Sequence, residues 1–234
     1  MWLSLGCERG ERRHPTLRAP LTRRQLAQMA ALGALGLLGG CDRGAHWHSI
    51  DVSDSSPSLK FAMTRVSDGK PVTEADYRGD VVLLYFGYTF CPDICPTTLS
   101  NLDDILGRLG AAAKRLRVLF VTVDPHRDTL PVLAAYVRNF GPEVVGLRGT
   151  PDQLADLARR YRIVYSVRPA DAQRPYEVTH SSAIYVFDRT GAARLLVPSL
   201  ASSAPDIAGT TEDLRHLVDN PPRPGFWARL MRRV

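Results

Sequence analysis

Along the middle of the chain, short unbroken apolar runs alternate with segments whose apolar residues recur every three or four positions. Val81-Val82-Leu83-Leu84-Tyr85-Phe86 is one such run, and a strand buried on both faces reads this way. Pro96 then stands where a first helical turn has no use for an N–H. Leu99, Leu102, Ile105, Leu106 and Leu109 follow at helical spacing. Arg117 to Val123 predicts a second buried strand. Val132, Leu133, Tyr136 and Val137 predict a helix, with Thr129 as its cap. Val144 to Leu147 reads as a weaker strand. Thr150-Pro151-Asp152 opens a helix with Leu154, Leu157, Ala158 and Tyr161 on one face. Ile163 to Val167 reads as extended, and Ser182 to Phe187 as a strand closed by the turn Asp188-Arg189-Thr190-Gly191. Ala193 to Val197 pairs back as a hairpin. Thr210 with Asp213 predicts the start of a last helix through Leu214, Leu217 and Val218.

The order is β-α-β-α-β-α, then a hairpin, then a helix. Early alternation implies parallel strands joined by crossover helices, and the hairpin adds antiparallel edges. The expected class is α/β: a thioredoxin-like mixed sheet flanked by helices, spanning residues 59–218 as one domain. Residues 219–234 carry Arg223, Arg229, Arg232 and Arg233 among prolines and aromatics. They read as an exposed basic tail.

The first 40 residues have a different pattern. Arginines precede the mildly apolar run Leu26 to Leu38, which ends in Gly39-Gly40-Cys41. That order suits an export signal, and the run is shorter than the roughly 20 residues of a bilayer-spanning helix. Thr22-Arg23-Arg24-Gln25-Leu26 is similar to a twin-arginine signal. Leu38-Gly39-Gly40-Cys41 resembles a lipobox, in which the cysteine is lipidated. Residues 1–40 are therefore expected to be an export signal, and 41–58 a lipid anchor and polar tether. The expected location is the outer, periplasmic face of the cytoplasmic membrane, attached through Cys41. The chain's net charge of +6 falls to +2 without residues 1–40, which hold six arginines and two glutamates. No basic stripe is left to argue for nucleic acid.

With Cys7 in the signal and Cys41 at the anchor, Cys91 and Cys95 remain as thiols. Two cysteines four apart do not staple a fold; they make a redox pair or a metal site. They follow the first core strand and open a helix, whose N-terminus favours thiolates. Three intervening residues set the sulfurs about one helical turn apart, which leaves room for a third ligand and still permits a disulfide. The candidate third ligand is His180, just before the strand Ser182 to Phe187. Thioredoxins carry a cis-proline at that point, and this chain has no proline between Pro175 and Pro198. Two thiolates and an imidazole form a soft donor set suited to Cu(I) and able to hold Cu(II). Zinc in a structural site normally takes a fourth ligand.

Three stretches together resemble the Sco (SenC/PrrC) family. They are Gly87-Tyr88-Thr89-Phe90-Cys91-Pro92-Asp93-Ile94-Cys95-Pro96-Thr97-Thr98, Val123-Asp124-Pro125-His126-Arg127-Asp128-Thr129, and Thr179-His180-Ser181-Ser182-Ala183-Ile184-Tyr185. The resemblance implies a thioredoxin-like copper protein that assists metallation of the binuclear copper centre of cytochrome c oxidase. It implies one copper ion per chain on Cys91, Cys95 and His180, with the oxidase's copper-bearing subunit or another copper protein as partner. Two positions depart from the pattern. Thr179 stands where many relatives have Asp before the ligand histidine, and Leu130 intervenes before Pro131.

The same cysteines suit a thiol-disulfide oxidoreductase, with Cys91 and Cys95 as a catalytic redox pair, or a copper or redox sensor. A peroxiredoxin lacks support, because no Pro-x-x-x-Thr-x-x-Cys arrangement occurs. His126 reads as a surface residue, and His46 and His48 as part of a solvated tether. Asp124 and Arg127 read equally as a structural ion pair or as groups that order the site or bind a partner. Asp93, between the cysteines, is a minor candidate for charge or hydrogen bonding at the site.

Overall fold

The computed structural model of the protein describes residues 46–198 and 200–221. In chain order the strands are β1 (Ile50–Asp51), β2 (Ala62–Arg65), β3 (Pro71–Thr73), β4 (Val81–Gly87), β5 (Leu116–Thr122), β6 (Val144–Arg148), β7 (Tyr165–Arg168), β8 (Glu177–His180), β9 (Ile184–Phe187) and β10 (Ala193–Val197). The α-helices are α1 (Ile94–Leu109), α2 (Leu130–Val137), α3 (Pro151–Arg160) and α4 (Ile207–Asp219). Among the described residues, the strands form an eight-stranded sheet in the order β1-β10-β9-β4-β5-β6-β2-β3 and a separate ribbon, β7-β8. The pairs β4–β5 and β5–β6 are parallel; β9 returns antiparallel beside β4.

Every residue of β4 is buried, because its two faces serve two layers. Val81, Leu83 and Tyr85 pack with Leu99, Leu102 and Ile105 of α1 and with Leu214 and Leu217 of α4. Val82, Leu84 and Phe86 pack with Leu154 and Leu157 of α3 and with Tyr161. This is why the run is continuous rather than alternating. Full burial of one such side chain stabilises the fold by about 1.5–3 kcal/mol. α3 begins as expected: Gln153 N donates to Thr150 Oγ1 at 3.2 Å and Thr150 N donates to Gln153 Oε1 at 2.8 Å.

Several boundaries differ from the sequence reading. Thr129 occupies the N-cap position of α2, but its side chain makes no capping bond. α2 starts at Leu130 with Pro131 in its first turn, so the inserted leucine simply becomes the first helical residue. Thr210 and Asp213 do not start α4. Asp206 caps it a turn earlier, accepting from Gly209 N at 2.8 Å. Asp213 is buried and serves the chain's entry instead: His48 N and Ser49 N donate to its two oxygens at 3.0 and 2.8 Å.

That anchorage corrects the tether reading. Residues from Trp47 onward belong to the domain: Ile50–Asp51 pair with β10, and Ser49 and Val52 are buried. The His48 ring lies 3.1 Å from Glu212 Oε2, so His48 docks on α4. Polar composition hid this, because the attachment is made by backbone N–H groups. β2 and β3 also went unread; each buries a single strongly covered side chain, Met63 and Val72 respectively. The expected signal, lipobox and Cys41 lie outside the described residues, as does the tail from 222 onward. Among the described residues, no helix is long and apolar enough to cross a membrane.

Candidate metal centre

The site forms where β4 ends. Gly87 closes the strand, and residues 88–93 turn into α1. Cys91 N donates to Tyr88 O at 3.3 Å, and this turn points Cys91 back at the helix it precedes. Cys95 lies in the first turn of α1, where its own N–H donates to Cys91 Sγ at 3.4 Å. A helix N-terminus thus offers backbone donors and its dipole to sulfur, as expected. Gly87 is a packing requirement. A Cβ there would lie 2.6 Å from Phe120 Cε2 and 2.8 Å from Cys95 Sγ. Only a missing side chain lets the Cys95 sulfur settle against the strand end, where Cys95 is 0% exposed.

His180 arrives from the other side. It is the last residue of β8, not a loop residue, because Tyr165 of β7 pairs with it across the ribbon. Its Nε2 lies 3.3 Å from Cys95 Sγ. Its Nδ1 faces Ser181 O at 3.0 Å; a carbonyl only accepts, so Nδ1 carries the proton and Nε2 directs its lone pair at the sulfurs. Thr179 points away and pairs with Ser166 across the ribbon, Oγ to Oγ1 at 2.9 Å. The ring of His180 is flanked edge-on by Tyr88, centroids 5.7 Å apart, and by Tyr85 at 6.3 Å.

Cys91 Sγ, Cys95 Sγ and the His180 nitrogen all lie within 4.8 Å of one another. Bonds of about 2.0–2.3 Å from one first-row ion to three such donors require separations of about 4 Å. Small adjustments satisfy that, including a slight widening of the 3.3 Å between Cys95 Sγ and His180 Nε2, so the trio is close to the size a single ion would need. Both cysteines are free thiols here. The two sulfurs are electrostatically distinct. Hydrogen bonding from the Cys95 thiol first, and from the backbone N–H groups of Cys95 and Asp93, lowers the Cys91 pKa to about 3 against the opposing effect of burial. Cys95 is pushed up by its Cys91 neighbour and by burial. Cys91 is the thiolate, and Cys95 holds the shared proton.

The remaining candidates divide. Asp93 is the N-cap of α1, but its side chain makes no capping bond and instead accepts from Thr97 Oγ1 at 3.2 Å. It reaches the site only through its backbone. His126 is exposed and is not in the converging group; nor are His46 and His48. Asp124 and Arg127 form an ion pair, Nε to Oδ2 at 2.5 Å, with Asp124 fully buried. Asp128 was not singled out from sequence. It is buried and accepts from Thr89 N at 3.0 Å, Thr89 Oγ1 at 2.5 Å and Thr122 Oγ1 at 2.6 Å, so it fastens the cysteine loop to the end of β5. Its place four residues after Asp124 in the second matching stretch was the available signal. Gly87 likewise stood in the first stretch, whereas nothing in the pattern marked Tyr176.

The charge on Cys91 has a direct consequence. In the reduced, metal-free protein, alkylation of Cys91 by iodoacetamide should keep its rate from about pH 8 down to about pH 5. An ordinary thiol slows about tenfold per pH unit below about 8.5. A lowered pKa leaves the reactive thiolate in place above it, so the rate should collapse only in strong acid. A rate profile centred near an ordinary thiol pKa would contradict the described hydrogen bonding.

Comparison with known proteins agrees with this geometry. A mitochondrial SCO2 homolog from Bos taurus is 45% identical over 125 residues, covering 53% of this chain and 47% of that protein. A mitochondrial SCO1 homolog from Mus musculus is 40% identical over 133 residues, covering 56% of this chain and 46% of that protein. The chain spans about half the length of these curated relatives. Among solved structures, Bradyrhizobium japonicum ScoI with copper bound superposes with a TM-score of 0.61 at 31% identity, covering 69% of this chain and 99% of that one. Yeast Sco1 with copper bound gives 0.61 at 29% identity, covering 75% and 94%. The sheet and its flanking helices are thus the thioredoxin-like arrangement expected from the sequence. The SCO1/SenC family model matches residues 56–216, and the chain belongs to the SCO1/SenC family.

Proposed function

We propose that this domain is a copper carrier. It holds one copper ion on Cys91 Sγ, Cys95 Sγ and His180 Nε2, and assists metallation of the binuclear copper centre of cytochrome c oxidase. The convergence of two sulfurs and one imidazole nitrogen carries this reading. Such a soft, three-donor set suits Cu(I) and tolerates Cu(II), and a structural zinc site would ask for a fourth ligand. The copper-bound state of the ScoI and Sco1 relatives supports the choice of metal. Copper is here a cargo. Three donors leave the ion open to an incoming thiol or imidazole from the recipient, and Cys91 is only partly covered, so exchange can begin at that sulfur.

A second reading shares the site and rests on the Cys91 thiolate. As a reductant, Cys91 attacks one sulfur of a target disulfide and releases the other as a thiolate. Cys95 then gives up its proton and displaces the second target sulfur. The products are a reduced target and a Cys91–Cys95 disulfide, two electrons having passed to the target. The readings separate at His180, because disulfide exchange needs no imidazole. His180→Ala should lose most copper affinity while keeping a reducible Cys91–Cys95 disulfide; Cys91→Ser and Cys95→Ser should lose both. Failed oxidase copper loading in all three variants supports the carrier. Loading that survives His180→Ala but fails in the cysteine variants supports the reductase.

We also propose that Cys41 is lipidated and holds the domain at the outer face of the cytoplasmic membrane. Leu38-Gly39-Gly40-Cys41 after a basic, mildly apolar segment supports this. The tether then shrinks to residues 42–46, because Asp213 holds the backbone of His48 and Ser49. Cys41→Ala should move the protein from the membrane fraction to the soluble one or leave it unprocessed. A correctly cleaved variant still on the membrane would contradict the anchor.

A further inference from the structure

The metal donors come from two parts of the chain that no main-sheet hydrogen bond joins directly. Cys91 and Cys95 follow β4, whereas His180 ends a ribbon separate from the sheet. Every second residue of that ribbon is exposed, and none is fully buried. The pairings within it fix β7 against β8, but they do not fix the ribbon against the cysteines. Tyr165 and Val178 pack on the core, and the Tyr88 hydroxyl donates to Val178 O at 3.5 Å; these contacts hold the ribbon's inner face, and a further one holds the chain where it enters β8.

Arg127 is in the right place. Its guanidinium carbon lies 3.8 Å from the ring centroid of Tyr176, 4.7 Å from Phe90 and 5.8 Å from Tyr88. Tyr176 immediately precedes β8, four residues before His180. Phe90 and Tyr88 belong to the loop that carries Cys91. One planar cation therefore lies against aromatic rings from both donor-bearing segments. Guanidinium suits this, because it is flat, always charged and stacks on ring faces.

The cation is itself held. Arg127 Nε donates to Asp124 Oδ2 at 2.5 Å, and the Tyr176 hydroxyl donates to Asp124 Oδ1 at 2.8 Å. Asp124 is 0% exposed and directly follows Val123, whose N–H donates to Gly87 O at 2.8 Å. The chain of contacts runs from the end of β4, through Asp124, to Arg127 and Tyr176, and along β8 to His180. Phe90, 57% exposed, covers the outer side of the guanidinium.

We propose that Arg127, oriented by Asp124 and stacked on Tyr176, is a positioning residue that sets His180 against the Cys91–Cys95 pair. It touches no donor atom. It acts by fixing the entry to β8; the cysteine loop stays fastened to β5 through Asp128, so removing Arg127 loosens the imidazole more than the sulfurs. The copper part of this inference rests on the carrier reading; the geometric part does not.

The test uses the copper-loaded protein and the variants Arg127→Ala, Tyr176→Phe, His180→Ala and Arg127→Ala with His180→Ala. Copper release to a chelator should be about ten- to hundredfold faster in Arg127→Ala, the range usual for groups that orient a metal ligand. Tyr176→Phe keeps the stacked ring and loses one hydrogen bond, so it should lie between parent and Arg127→Ala. The nitrogen splitting in the Cu(II) magnetic resonance spectrum should weaken in Arg127→Ala. The double variant should release copper no faster than His180→Ala alone, because Arg127 then has no ligand to position. Additive losses, or an unchanged release rate in Arg127→Ala, would overturn the proposal. Hydrogen exchange in the metal-free protein separates this from the carrier reading. Arg127→Ala and Tyr176→Phe should speed exchange at β7–β8 amides and leave β4–β5 amides unchanged. Should the parent bind no copper, the carrier reading fails, and the positioning role is decided by that exchange: unchanged β7–β8 protection would refute it.

Discussion

Cys95 Sγ and His180 Nε2 meet at 3.3 Å across 85 positions of chain, and most of the structure bears on that contact. One partner is held rigidly. Cys95 sits in the first turn of α1 against the end of β4, a strand buried on both faces. Gly87 leaves the space that the sulfur fills, with Phe120 closing the same space. A methyl group at position 87 would push against both, and a well-packed interior resists such an insertion. The other partner is presented by a small ribbon outside the sheet. A rigid pair of sulfurs and an imidazole on a separately held arm form the arrangement that the proposed gripping and release of one ion would use.

Buried charge around the site follows the same division. Asp128 ties the cysteine loop to β5 through three hydrogen bonds. Asp124 ties Arg127 and Tyr176 together. A buried carboxylate left unpaired would be costly, and each of these is fully committed. The Cys91 charge is treated differently: it is stabilised chiefly by the neighbouring Cys95 thiol and by backbone N–H groups rather than by a fixed cation.

Much of this was legible in the chain. The continuous run Val81 to Phe86, the helical period from Leu99 to Leu109 and the hairpin around Asp188 all report burial, and burial is what hydropathy patterns record. The joint appearance of Cys91, Cys95 and His180 pointed to one soft donor set. Features made by backbone groups or by single side chains at long range left no such trace. The docking of Trp47 to Val52 depends on two N–H groups meeting Asp213, which composition cannot reveal. β2 and β3 are too short to show a period. Tyr176 lies in a polar stretch, and its role comes only from the fold that brings it over Arg127. Asp124 and Arg127 were visible as a pair, but their connection to His180 required the ribbon's position.

X-ray absorption at the copper edge of the Cu(I)-loaded domain tests the central claim most directly, because it counts the donors around the ion. The expected spectrum fits two sulfurs and one nitrogen on a single three-coordinate copper, and it becomes two-coordinate and all-sulfur in His180→Ala. A parent spectrum with only sulfur neighbours, or with a second copper nearby, would contradict a one-ion site built from Cys91, Cys95 and His180.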